Sequence, residues 1–177
     1  MSREPAVERS PGVLVLDAEL KLRSWTGAAQ LWVEALPGAR VTAAWGILPT
    51  IIYPAATLAR AGAGAEQAHA LLRGVDGHWV MIEAALFEGE QDGEIAVTLR
   101  APTPVEILRL LGRIYALTAR EVDLVRLLLA GLDTRSVGDR LHISAYTVQD
   151  HLKSVFEKTG LHSRRELLAT LGASEPD

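Results

Sequence analysis

The chain has no cysteine in its 177 residues, which excludes disulfides, cysteine-ligated zinc, cysteine catalysis and the cysteine adduct of blue-light flavin sensors. Aromatic residues are scarce at 5%, so the four tryptophans carry much of the aromatic bulk and their positions matter. Long apolar runs are missing as well. Although 49% of the residues are hydrophobic, Arg, Glu, Gly or Pro interrupts every stretch short of the ~20 residues needed to cross a bilayer. A basic excess is also absent: the formal net charge is -4, and from Thr118 onward eight Lys and Arg stand against nine Asp and Glu, with three His. No long-range field draws this chain to nucleic acid, so any such binding must rest on cations placed locally. Residues 1–10 read as a charged tail with no hydrophobic export segment, and the expectation is a cytoplasmic protein with no membrane partner.

What is present is organised around residues 144–159, which read as one amphipathic helix with two unlike faces. Val148, Leu152, Val155, Phe156 and Thr159 follow the four-three-four spacing that gathers side chains on one stripe. Tyr146, Gln149, Asp150 and Lys153 fall on the opposite side. Ser144 suits the N-cap and Gly160 the terminator. Upstream, residues 133–141 read as a short helix with Val137 and Leu141 inward, and only His142 and Ile143 separate it from the Ser144 cap, a helix-turn-helix spacing. Thr118-Ala-Arg-Glu121 and Ser163-Arg-Arg-Glu166 both have the pattern of a capping box. The first opens a helix with Val122, Val125, Leu128 and Leu129 on one stripe; the second opens a helix carrying Leu167, Leu168 and Leu171.

Leu117-Thr-Ala-Arg-Glu121, Gly131, Val137-Gly138, Leu141-His-Ile-Ser144, Thr147-Val148, His151, Lys158, Ser163-Arg164 and Glu166 together resemble the LuxR-type helix-turn-helix of bacterial transcription regulators. The resemblance runs without a gap from Leu117 to Leu171. It implies that the third helix enters the major groove of double-stranded DNA and that the fourth serves a homodimer. Gln149, Asp150 and Lys153 then face base edges, with Tyr146 beside them, while Ser144, Thr147, His151 and Lys158 lie where phosphates are met; Arg164 is a further DNA-binding candidate. Leu167, Leu168 and Leu171 become the expected dimer contacts, with a core role as the competing reading for some of them. Three departures from the family pattern stand out: Gly138 in place of the usual Ala, Asp133 in place of a Ser or Thr cap, and Thr159 in place of a common Leu.

The first hundred residues read differently. Gly12 to Trp25 gives a hairpin signal around Asp17-Ala-Glu19, with Leu20 and Leu22 alternating. Residues 28–36 are helical in pattern with Leu31, Trp32 and Leu36 inward, and a second helix runs over 53–61. Residues 68–75 form a strand leading into the tight-turn pair Asp76-Gly77, a second strand runs over 78–87, an acidic exposed loop covers 88–93, and 94–100 alternates as a third strand. Two strands, short helices and three more strands resemble a PAS domain, an antiparallel sheet with helices over one face that commonly encloses a small-molecule site. The expected fold is therefore α+β: a PAS-like sensor domain over 11–101, a connector helix over 102–116, and an all-α four-helix LuxR-type domain over 117–172.

For ligand binding, Trp25, Trp32, Trp45 and Trp79 are the candidates, one or two of which would line a cavity for an unidentified small molecule; the competing reading is packing in the core or between helices and sheet. No cofactor, metal site or catalytic constellation is evident. Gly62-Ala-Gly-Ala-Glu66 lacks the Lys-Ser/Thr of a phosphate loop, His69 and His78 stand alone, and Asp17 lacks the companions of a phosphoacceptor. The reading is a DNA-binding regulator and not an enzyme, with RNA polymerase as a conceivable further partner. Two other readings compete with it: a protein-interaction regulator that does not bind DNA, motivated by the acidic balance, and a ligand or heme sensor.

Overall fold

The structure, a computed structural model, describes residues 10–38, 48–64, 67–88 and 93–172. The tail at residues 1–9, Trp45 and residues 89–92 of the acidic loop lie outside them. The chain divides into two compact units, residues 1–102 and 103–177.

The first unit is a five-stranded antiparallel sheet of β1 (Gly12–Leu16), β2 (Leu22–Trp25), β3 (His69–Arg73), β4 (Trp79–Leu86) and β5 (Ile95–Arg100), in the order β2-β1-β5-β4-β3. Alternation places Leu14 and Leu16 of β1, Val80, Ile82 and Ala84 of β4, and Ile95, Val97 and Leu99 of β5 on one face, all buried. Helices α1 (Gly27–Glu34) and α2 (Tyr53–Arg60), with a 3-10 turn at Thr50–Ile52, cover that face through Ala29, Trp32, Val33, Ile52, Ala55, Ala56 and Ala59. The small residues allow close approach. A Cβ on Gly12 would lie 2.4 Å from the Ala29 Cα, so β1 and α1 touch backbone to backbone there.

Two local expectations change. Leu20 is a turn residue with φ 64°, because the Asp17 carboxylate accepts from the N–H of Glu19 and of Lys21 and holds a longer turn than the alternation suggests. Leu31 points outward at 54% exposure, its inward place being taken by Ala29 and Val33. The Asp76-Gly77 turn forms with Gly77 at φ 82° and the Asp76 carboxylate accepting from the His78 N–H.

The second unit is all helical: α3 (Pro104–Ile114), α4 (Ala119–Leu129), α5 (Thr134–Leu141), α6 (Ala145–Thr159) and α7 (Arg164–Thr170). Each has a hydroxyl or carboxylate N-cap that accepts from the N–H three residues on: Thr103, Thr118, Asp133, Ser144 and Ser163. At Thr103 and Thr118 the Glu at N3 returns the bond to the cap N–H. At α7 that return falls one residue earlier, with Glu166 accepting from the N–H of His162. Helix α3 packs on α4 so closely that a Cβ on Gly112 would lie 3.2 Å from Val122 Cγ2.

Candidate nucleic-acid interface

The turn between α5 and α6 fixes the geometry of the pair. His142 adopts the left-handed conformation at φ 55°, and the Ile143 N–H returns to the carbonyl of Gly138 at 2.9 Å, which closes α5. At that point the helices meet without room for a side chain: a Cβ on Gly138 would stand 2.8 Å from the Ile143 carbonyl oxygen. Arg120 of α4 donates to the carbonyl of Leu141, tying the end of α5 to the preceding helix.

Helix α6 has the two faces its sequence implies. Val148, Leu152 and Val155 are buried, while Phe156 and Thr159 are half-buried at the edge of the stripe. Tyr146, Gln149, Asp150 and Lys153 stand on the open side, with Tyr146 at 77% exposure. The Lys153 ammonium lies 3.9 Å from Glu157 on the next turn, an exposed pair that leaves the cation available. Gln149 Nε2 makes a long contact of 3.4 Å with the Thr134 hydroxyl at the start of α5. Ser144 accepts from the Thr147 N–H and its Oγ is 2.9 Å from the Thr147 hydroxyl, so both sit at the N-terminus of α6, where orphan N–H groups gather. His151 is half-buried beside them.

Lys158, the remaining expected phosphate contact, and Arg164, a further DNA-binding candidate, are engaged within the unit. Lys158 Nζ donates to both carboxylate oxygens of Glu121, at 2.7 and 3.0 Å, and Glu121 is only 3% exposed. The same carboxylate accepts from the Ser154 hydroxyl at 2.7 Å and from the Thr118 N–H at 2.7 Å. Burial pushes its pKa up, but Lys158, Ser154 and Thr118 outweigh that and hold it at about 2. Arg164 donates to the carbonyl of Leu132 at 2.9 Å. The Asp133 carboxylate is lowered too, through its bond from the Ser136 N–H.

Leu167, Leu168 and Leu171, read either as dimer contacts or as core, are all buried. Their burial supports the core role, and a sequence pattern alone does not separate the two uses of an apolar stripe.

The three tryptophans among the described residues stand in different surroundings. Trp32 is packed in the core with its Nε1–H donating to the Ser10 carbonyl. Trp25 pairs with Leu14 on edge strand β2 and is 45% exposed. Trp79 precedes Val80, so alternation puts it on the other face of the sheet, where the Arg73 guanidinium stacks over its ring at 5.3 Å. Trp32 and Trp79 are on opposite sides of the sheet and do not line a common cavity.

Sequence reasoning missed Glu121 as the centre of the polar network, although its capping pattern was visible, because the partners Ser154 and Lys158 are far along the chain. It also missed the Thr103 cap, for which the Thr-Pro-Val-Glu spacing was an available signal. Among the described residues, no helix is long and apolar enough to cross a membrane.

Residues 115–171 match the sequence model described as bacterial regulatory proteins, luxR family. Over 53 residues the chain is 45% identical to the HTH-type transcriptional regulator Rv0890c of Mycobacterium tuberculosis, covering 30% of this chain and 6% of that protein. Over 55 residues it is 38% identical to the Fimbriae Z protein of Escherichia coli, covering 31% and 26% respectively. The chain therefore spans only a small part of the length of these relatives. Among solved structures, the Vibrio cholerae VqmA dimer without its target DNA is 19% identical with a TM-score of 0.33, covering 93% of this chain and 85% of that one. VqmA bound to DPO is 17% identical with a TM-score of 0.33, covering 94% and 86%. Residues 115–171 of this chain are a LuxR-family helix-turn-helix domain.

Proposed function

We propose that the chain is a sequence-specific DNA-binding transcription regulator that acts as a homodimer, with α6 in the major groove and the first unit as its sensory input. The observation that carries the reading is the open polar face of α6 on a helix-turn-helix whose sequence matches a family of regulators. Gln149 suits the paired donor and acceptor of adenine, Lys153 the acceptors of guanine or a phosphate, and Asp150 the amino group of cytosine. Tyr146 stands at the rim of that face. Ser144, Thr147 and His151 meet the backbone and set the register. Lys158 and Arg164 support the fold of the unit instead.

Two copies bound to half-sites about one helical turn apart would double a modest set of contacts. The division into a sensory part over 11–101, a connecting helix over 102–116 and a DNA-binding part over 117–172 belongs to the same proposal. The five-stranded sheet under two helices supports the sensory assignment, and a DNA-reading role supports a cytoplasmic location. An absorption spectrum of the purified chain checks for a coloured cofactor in the first unit.

The direct test of the reading face is substitution on a selected duplex. Gln149→Ala should relax the preference at one base position by about 1–3 kcal/mol. Unchanged preference at every position would show that α6 does not read bases in this pose.

A further inference from the structure

We propose that Glu121 is the positioning residue of the DNA-reading helix: its buried carboxylate clamps Lys158 and Ser154 of α6 onto the start of α4 and so fixes the rotation and slide at which α6 meets the bases. The proposal rests on the DNA-binding reading above and deepens it. Three groups converge on this side chain through four hydrogen bonds. The Thr118 N–H and the Ser154 hydroxyl each lie 2.7 Å from one of its oxygens, and the Lys158 ammonium bridges both. Lys158 also reaches the carbonyl of Ala116 at 3.4 Å, so the α3–α4 junction shares the node.

The arrangement has a geometric consequence. Ser154 and Lys158 are four residues apart and stand on the same side of α6. Two anchors one turn apart on a single carboxylate resist both rotation of α6 about its axis and sliding along it. Packing of Val148, Leu152 and Val155 alone resists sliding poorly, because apolar contact is not directional. Hydrogen bonds to a charged, desolvated acceptor supply the direction. There is also an electrostatic consequence: Lys158 is neutralised inside the unit and releases no counterion from DNA, whereas Lys153 on the open face does.

The test uses the full chain and the duplex it selects, with affinity measured for the cognate site and for a scrambled site across a salt series. Lys158→Met keeps the aliphatic stem and removes the clamp. The cognate-to-scrambled ratio should fall about tenfold, the size of one lost base contact, while the salt slope stays as in the parent. Lys158→Arg, which restores a cation able to grip the carboxylate, should recover most of the ratio. Should Lys158→Met fail to fold, Ser154→Ala removes the other anchor alone and should lower the ratio in the same direction. A salt slope reduced by about one unit in Lys158→Met would make Lys158 a phosphate contact and overturn the proposal. A ratio unchanged in Lys158→Met, or in Ser154→Ala where that variant stands in, overturns the positioning role while leaving DNA binding in place. A parent chain that selects no duplex overturns the DNA-binding reading, and this proposal with it, since a helix that reads no base has no reading pose to fix.

Discussion

Lys153 and Lys158 lie five residues apart on one helix and have opposite fates. Lys153 extends from the open face, with only an exposed carboxylate at 3.9 Å; Lys158 is held by a buried one at 2.7 Å. Lys153→Ala should therefore weaken binding to the cognate duplex and reduce the salt slope by about one unit, read in a salt titration. His142 supplies a second prediction at this scale. A non-glycine residue at φ 55° closes α5, and glycine there removes the strain that a Cβ meets in the left-handed region. His142→Gly should raise stability by up to about 1 kcal/mol in a denaturant titration; a loss would mean that the imidazole contributes packing of its own. The sequence places Lys158 correctly on α6 and Glu121 correctly as the N3 residue of a capping box. It does not show that the two meet, because 37 positions separate them and no local periodicity encodes that contact.

At the scale of elements, the α5–α6 turn is a tight joint in the second unit. Gly138 costs about 1 kcal/mol in helix propensity relative to alanine. Substitution by alanine would regain that and would force a Cβ to within 2.8 Å of the Ile143 carbonyl oxygen, a backbone atom that yields only if the turn opens. Overpacking at such a point costs about 1–3 kcal/mol. The expected net outcome for Gly138→Ala is a lower thermal midpoint together with weaker cognate binding; a higher midpoint would show that the turn adjusts freely. Helix starts were legible because a cap is a local matter: Thr118, Asp133, Ser144 and Ser163 all cap as their spacing implies. Destinations of apolar stripes were not, since Leu167, Leu168 and Leu171 look the same whether they face a partner or their own core. The face of Trp79 follows from alternation with Val80 once the strand is known, but which aromatic residues share a cavity depends on how helices settle on the sheet.

For the whole molecule, charge is the controlling quantity. A net charge of -4 gives little nonspecific attraction to DNA, so under the proposed function discrimination rests on contacts made by α6 and on pairing of two copies. Acid stability follows from the same electrostatics. The Glu121 carboxyl is held at about 2 in the folded protein against 4.5 ordinarily, and Asp133 is lowered as well. A lowered carboxylate stabilises the folded state above its ordinary value, and that contribution is lost as pH falls through the folded value. Unfolding of the second unit should therefore become easier between about pH 4.5 and 2, and Lys158→Met, which strands Glu121 without its cation, should shift that loss to higher pH in an acid titration followed by helical circular dichroism. The order of strands and helices in the first unit was readable from alternation and turn pairs, whereas the sheet order β2-β1-β5-β4-β3 arises from long-range pairing that no segment announces alone.

The central claim is that α6 of this chain reads duplex DNA. Selection of the full chain against a random double-stranded pool at moderate salt tests it most directly. The account predicts enrichment of a two-fold symmetric motif with half-sites about one helical turn apart, and loss of that enrichment when Gln149 and Lys153 are both replaced by alanine. No enriched motif at low or moderate salt, from a chain shown to be folded, would contradict it and favour a regulator that acts through protein partners.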